Sequence, residues 1–153
     1  MSTFDIPEIV AQLRSVRDQW REQQNRTDTE HREFPSRDAV TKAVEALKGV
    51  LFPLRLGPPD LRHAGEDFYV GHTLDSALHL LLEQARIELQ YRQRNGGATR
   101  HSINAQADRS IHQFAHALPG LRQLLDTDVL AAFQGDPAAR SVDEVVLSYP
   151  GVL

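Results

Sequence analysis

Apolar residues recur at intervals of three and four along most of the chain, which is the spacing of one helix face. The first such stripe follows Asp5 and Pro7, a helix start, and comprises Ile6, Ile9, Val10, Leu13, Val16 and Trp20. The same spacing predicts a second helix between Ser36 and Pro53, and a long third helix over about residues 67–95. No stretch shows the alternation of apolar and polar residues that is typical of a β-strand. The pattern therefore predicts an all-α fold, a multi-helix bundle of about five to seven helices.

Breaks in this pattern divide the chain. A polar run from Asn25 to Glu33 interrupts the helical period and reads as a loop. It separates an N-terminal amphipathic helix and loop, residues 1–33, from a larger helical domain, residues 34–153. Further along, Asn95-Gly96-Gly97 predicts the end of the third helix, because glycine favours helix termination. Ser102 is the expected cap of a fourth helix, and Pro119 the expected start of a further short one.

The last quarter of the chain carries several signals for helix starts. Thr127-Asp128 predicts the beginning of a short helix that Gly135 ends, and Asp136-Pro137 predicts the start of another. Ser141 and Glu144 have the spacing of a capping box. From the residues alone, Asp128, Asp136 and Ser141 are therefore structural helix caps.

The composition narrows the class of protein. A chain of 153 residues with 41% hydrophobic and 25% charged residues is typical of a folded domain. Its net charge of −4 argues against nucleic-acid binding through a general positive field. The absence of cysteine excludes a disulfide, a thiolate nucleophile and a Cys-based zinc site. No signal pattern and no membrane-length apolar run is present, so we expect a cytoplasmic protein without membrane contact.

Seven histidines raise the question of a metal site. His112 and His116 are four residues apart, as are His79 and Glu83, so each pair shares a helix face. Neither pair has a third ligand at an obvious spacing, and no His-Glu-x-x-His motif occurs. The sequence favours a solvated polar flank and predicts no metal, with a histidine-rich metal-binding bundle as a weaker alternative.

The segment from Thr127 to Gly151 resembles the end of the N-terminal helical domain of bacterial serine O-acetyltransferases, through an Asp followed eight residues later by Asp-Pro-Ala. Upstream motifs that resemble the longer branch of this family are Phe34-Pro-Ser-Arg-Asp38, Val50-Leu-Phe-Pro53, Phe68-Tyr-Val-Gly-His72 and Leu118-Pro119. The resemblance covers residues 34–153.

The resemblance implies a function in cysteine biosynthesis, where the family transfers acetyl from acetyl-CoA to L-serine. In the family a histidine on a left-handed parallel β-helix is the general base, and a carboxylate at the Asp-Pro-Ala position holds the serine amino group. Asp136 occupies that position here and is the expected substrate-binding residue. Asp128 matches the earlier Asp of the family and is expected to be a structural cap.

The resemblance also implies what the chain lacks. The family's catalytic histidine, its acetyl-CoA site and the tail that binds O-acetylserine sulfhydrylase all correspond to residues beyond Leu153. We therefore expect a fragment with no catalytic residue and no cofactor of its own, inactive alone. The family forms dimers of trimers, so a homo-oligomer is expected, and L-serine and the inhibitor cysteine are ligands of the full-length enzyme. The alternative is a stand-alone helical interaction or adaptor module. A reading frame that continues past codon 153 into hexapeptide repeats would distinguish the two.

Overall fold

The computed structural model describes residues 5–23, 34–92 and 99–151. Within these ranges the chain forms six α-helices, one 3₁₀ turn (His63–Gly65) and no strand, which confirms the all-α prediction. The helices are α1 (Ile6–Gln23), α2 (Arg37–Leu51), α3 (Pro53–Leu56), α4 (Glu66–Arg92), α5 (Arg100–Gly135) and α6 (Val142–Ser148). The predicted stop at Asn95-Gly96-Gly97 and the whole of the predicted 25–33 loop lie outside the described residues.

The chain divides into two compact units, Met1–Glu33 and Phe34–Leu153. In the first unit, α1 begins at Ile6 as its pattern predicts, and the Ile9 amide donates to the Asp5 carbonyl at 3.0 Å. All six residues of its apolar stripe are exposed, from 45% for Ile9 to 62% for Val16. The amphipathic pattern of α1 therefore forms a helix that contributes no buried side chain to this structure.

In the second unit, side-chain caps fix where α2 and α5 begin. Ser36 Oγ accepts a hydrogen bond from the Ala39 amide at 3.2 Å, so Ser36 is the N-cap of α2. The Ser36 amide donates to Gln84 Oε1 at 2.6 Å, which ties this helix start to α4. Thr99 caps α5 by accepting from the Ser102 amide at 3.2 Å. Ser102 is therefore in the first turn of the helix and does not cap it.

Two clusters of buried residues form the core of this unit. One consists of Leu47, Ala77 and Leu118, where α2, α4 and α5 meet. The other consists of Phe52, Val129, Val145 and Val146, and it joins the α2–α3 corner to the end of α5 and to α6. The second cluster holds the last quarter of the chain in place.

Helix α5 is the main departure from the predicted elements. Three helices are expected over this stretch, but residues 100–135 form one helix of 36 residues with Pro119 inside it. Ala107, Leu118 and Val129 are all buried and lie 11 residues apart, which is three helical turns, so they share one face across the proline. Burying each side chain of Leu or Val size stabilises by about 1.5–3 kcal/mol. Burial of Leu118 and Val129 together therefore offsets the cost of an interior proline, which is about 3 kcal/mol.

Because α5 is continuous, Asp128 lies in the body of the helix and is not at a helix start. Its side chain is exposed. The nearby Thr127 hydroxyl donates to the Leu124 carbonyl one turn earlier, at 2.7 Å, instead of capping. The prediction that Asp128 is a cap is wrong, because burial of Val129 carries the helix through this point.

Candidate functional site

Asp136 is the residue immediately after α5, where it forms the C-cap. Its amide donates to the Ala132 carbonyl at 3.1 Å and closes the helix. The next helix does not start here as predicted. Instead the Ala139 amide donates to the Asp136 carbonyl at 3.1 Å, and the Ala138 amide donates to Asp136 Oδ1 at 2.9 Å. These two bonds build a turn, since the amides that a new helix would leave open are satisfied within four residues.

Ser141 is the N-cap of α6, and its Oγ accepts from the Glu144 amide at 3.1 Å. Glu144 Oε2 accepts in return from the Arg140 amide at 2.8 Å, one residue before the cap. This is a capping box with its return bond shifted by one position. Val145 and Val146 of the same helix are buried against Phe52 and Val129. The short α6 is therefore fixed at its start by hydrogen bonds and along its length by packing.

Tyr149 is the C-cap of α6, and its amide donates to the Val145 carbonyl at 3.2 Å. Its hydroxyl donates to Asp136 Oδ2, so the side chains at the ends of α5 and α6 meet. Both residues are half-buried. The sequence does not identify this contact, because Asp136 and Tyr149 are 13 positions apart and share no element. Only the packing of α6 brings them together.

The environment of Asp136 favours its ionised form. The hydrogen bond from Tyr149, followed by that from the Ala138 amide, lowers the pKa of Asp136 below its usual value. The same bond to Asp136, with burial as a second cause, raises the pKa of Tyr149 to about 12. A carboxylate at a helix C-terminus is opposed by the helix dipole. The two donors offset that repulsion and leave a carboxylate beside a neutral phenol at neutral pH.

The Asp136 carboxylate keeps capacity for a further partner. Its two oxygens offer about four lone-pair sites, and the two hydrogen bonds occupy one on each oxygen. A fixed, ionised, half-buried carboxylate with free lone pairs suits a cationic donor such as an ammonium group. This arrangement can therefore hold and orient an amine.

The pKa values predict how this contact responds to base. Tyr149 has its pKa raised above the unfolded value of about 10. Its stabilising contribution is therefore complete below pH of about 10 and is lost as pH rises through about 12. In a spectrophotometric titration of the three tyrosines, one phenolate should form with a midpoint near 12. That transition should be missing in Tyr149→Phe, and its persistence there would assign it to another tyrosine.

A separate cleft of about 430 Å³ lies between α3, α5 and α6. Phe52, Val129 and Val146 form its apolar wall. At its rim Arg55 binds Asp143 at 2.5 Å, and Arg122 binds Asp126 at 2.8 Å. Asp136 does not line this cleft.

Arg122 links this cleft to the corner between α2 and α3. Its guanidinium lies 4.2 Å from the centre of the Phe52 ring and donates to the Leu51 carbonyl. The sequence gives no sign of this role, since no spacing rule relates Arg122 to Leu51, which lies 71 positions earlier. In the folded chain it satisfies a carbonyl at the end of α2.

His112 and His116, one of the two predicted pairs, lie together, with their Nε2 atoms 3.2 Å apart. Within residues 5–23, 34–92 and 99–151, no group of three or more His, Asp or Glu side chains is placed to hold a metal ion. In the pair of His79 and Glu83, the His79 Nδ1 donates to the Asp75 carbonyl at 2.9 Å, one turn before it. None of the helices in these ranges is long and apolar enough to cross a membrane.

Comparison with known proteins decides the family relation. No protein-family model matches the chain. A plasmid-encoded serine acetyltransferase of Synechococcus elongatus is 40% identical to it over 122 residues. The chain is homologous to serine acetyltransferase. The alignment includes 78% of this chain and 38% of the cyanobacterial serine acetyltransferase, so the chain spans well under half of its relative. The match confirms the resemblance for a helical part of a serine acetyltransferase, and the catalytic part is not covered.

Proposed function

We propose that this chain is the N-terminal helical domain of a serine O-acetyltransferase, with roles in assembly and in the serine pocket. The observation that carries the proposal is the 40% identity over 78% of the chain. In the complete enzyme, acetyl passes from acetyl-CoA to the L-serine hydroxyl in cysteine biosynthesis in the cytoplasm. The general base and the acetyl-CoA site belong to the β-helix of that enzyme, so the helical domain alone does not catalyse the transfer.

Asp136 is the residue that this domain contributes to the substrate. Serine carries an ammonium group at neutral pH, and Asp136 is ionised there because Tyr149 and the Ala138 amide stabilise its charge. Both donors hold the carboxylate still, so little conformational freedom is lost when the ammonium binds. Cysteine has the same ammonium group, which accounts for its entry into the same pocket as a feedback inhibitor.

Assembly is the second role. We propose a homo-oligomer, a dimer of trimers, in which helix packing of this domain contributes contacts between subunits. The binding of O-acetylserine sulfhydrylase depends on the C-terminal tail of the full-length enzyme and not on the helices described here. Acetyl-CoA and the sulfhydrylase are therefore proposed as partners of the complete enzyme, held by parts other than these helices.

A chimera tests the role of Asp136. Residues 34–153 replace the aligned helical region of the Synechococcus elongatus enzyme, and serine acetylation is measured with and without Asp136→Asn. A hydrogen bond to a charged group contributes about 1.5–3 kcal/mol, so kcat/KM for serine should fall about ten- to a hundredfold. The KM for acetyl-CoA should stay the same, because Asp136 contacts only the serine ammonium.

Asp128→Asn is the matched control, since it neutralises an exposed aspartate of α5 only eight residues earlier. It should leave kcat/KM for serine and the KM for acetyl-CoA unchanged. An equal loss in the two variants would reject a specific role for Asp136. Separately, serine acetylation by the purified 153-residue chain, abolished by a histidine substitution, would reject the assignment as a domain without its own catalytic site.

A further inference from the structure

We propose that His112 and His116 form a two-nitrogen chelating site for a borderline divalent metal ion such as Zn²⁺. Both side chains are exposed on α5, one turn apart. Neutral imidazole nitrogens are common ligands of this class of metal, and Zn²⁺ is bound by histidine in both structural and catalytic sites. Nothing in the relation to serine acetyltransferase assigns a role to either residue.

The distance between the two rings matches the geometry that such a metal requires. His112 Nε2 and His116 Nε2 lie 3.2 Å apart, with the ring centres at 4.7 Å and the planes at 65°. Two nitrogens that bind one tetrahedral Zn²⁺ at about 2.0–2.1 Å are separated by about 3.3 Å. The separation of the two Nε2 atoms therefore needs to change little, although each ring must turn so that its lone pair points at the ion and not at the other ring.

A hydrogen bond between the two Nε2 atoms keeps the rings in this arrangement when no metal is bound. In a hydrogen bond between two neutral imidazoles, one Nε2 carries hydrogen and the other accepts it. Metal binding needs both Nε2 lone pairs, so the donating ring must carry its hydrogen on Nδ1 instead. This is a change of tautomer without a change of charge, and the exposed position of both rings lets water mediate it.

The site is open on its outer side. Asp108, one turn before His112, is paired with Arg86 at 2.8 Å, and within the described residues no third His, Asp or Glu is placed with the two rings to hold a metal ion. Two of four tetrahedral positions are thus left to water or to an external ligand. His63 and His79 differ from this pair, because each ring contacts an oxygen atom and not a second imidazole. His63 Nδ1 contacts Glu66 at 2.5 Å, and His79 Nδ1 contacts the Asp75 carbonyl at 2.9 Å.

Isothermal titration of the metal-free 153-residue chain with ZnCl₂ tests this site. We expect one Zn²⁺ per chain at this site. Joining two ligands raises affinity by at least about a hundredfold over one ligand, so His112→Gln or His116→Gln should each weaken binding to about that extent. The same loss is expected in His116→Gln/Ala117→His. That variant keeps the number of histidines but sets them five residues apart, on different faces of the helix.

His101→Gln is the control on the same helix, since His101 is exposed and has Ala105 four residues later. It should bind Zn²⁺ as the unmodified chain does. All the substituted side chains are exposed, so far-ultraviolet circular dichroism should show the same helix content throughout. No Zn²⁺ binding by the unmodified chain would overturn the proposal. So would unchanged affinity in His112→Gln or in the variant with five-residue spacing.

Discussion

Phe52→Ala is expected to destabilise the chain by about 3–5 kcal/mol, the range for removing a buried aromatic side chain. Phe52 is only 8% exposed and lies in the core cluster with Val129, Val145 and Val146. Its ring also lies under the Arg122 guanidinium at 4.2 Å, a contact that the substitution removes. Since domains are stable by about 5–15 kcal/mol, this one change removes a large share of the total.

Urea denaturation followed by circular dichroism measures this effect, with Phe68→Ala as the control. Phe68 is the same residue type but is 80% exposed on α4, next to His72. Its replacement should change the free energy of unfolding by less than about 0.5 kcal/mol. Equal effects of the two substitutions would mean that the cluster around Phe52 does not hold the unit together.

Val145→Ala is expected to cost about 2 kcal/mol, because it removes two buried methyl groups and leaves a small cavity. Val145 is fully buried and lies on α6, one turn before Tyr149. The Tyr149 amide donates to its carbonyl, so looser packing of α6 should also weaken the bond from Tyr149 to Asp136. The high midpoint of Tyr149 should therefore move down toward the ordinary value for tyrosine.

Val142→Ala is the control for this effect. Val142 is on the same helix and is 41% exposed, so both stability and the Tyr149 midpoint should change little. Urea denaturation and the phenolate titration measure both quantities in the same samples. A destabilised Val145→Ala variant with an unchanged Tyr149 midpoint would show that the contact to Asp136 does not depend on the packing of α6.

Local rules were sufficient for much of the fold. Ser36 and Ser141 are caps because a hydroxyl can satisfy a nearby amide, and this choice involves only adjacent residues. The apolar spacing of α1 and α4 predicts both helices within a few residues of their observed starts. It does not predict whether a stripe is buried: the α1 stripe is exposed.

The errors arise where distant packing outweighs a local signal. Pro119 and Thr127-Asp128 have the local chemistry of helix starts, yet burial of Leu118 and Val129 keeps α5 continuous through both. The candidate site shows the same limit. Asp136 is named by its family motif, but its contact with Tyr149 depends on how α6 packs against Phe52. No spacing rule contains that information.

The proline inside the continuous helix α5 divides it into two parts that can unfold locally at different times. At a rise of about 1.5 Å per residue, its 36 residues span about 54 Å. Leu118 fixes it to one core cluster and Val129 to the other. Between them Pro119 has no amide to donate to the Ala115 carbonyl, so the ladder is weakest where the helix passes from one cluster to the next. We therefore expect hydrogen exchange to show that the end carrying Asp136 opens as a segment separate from α2 and α4.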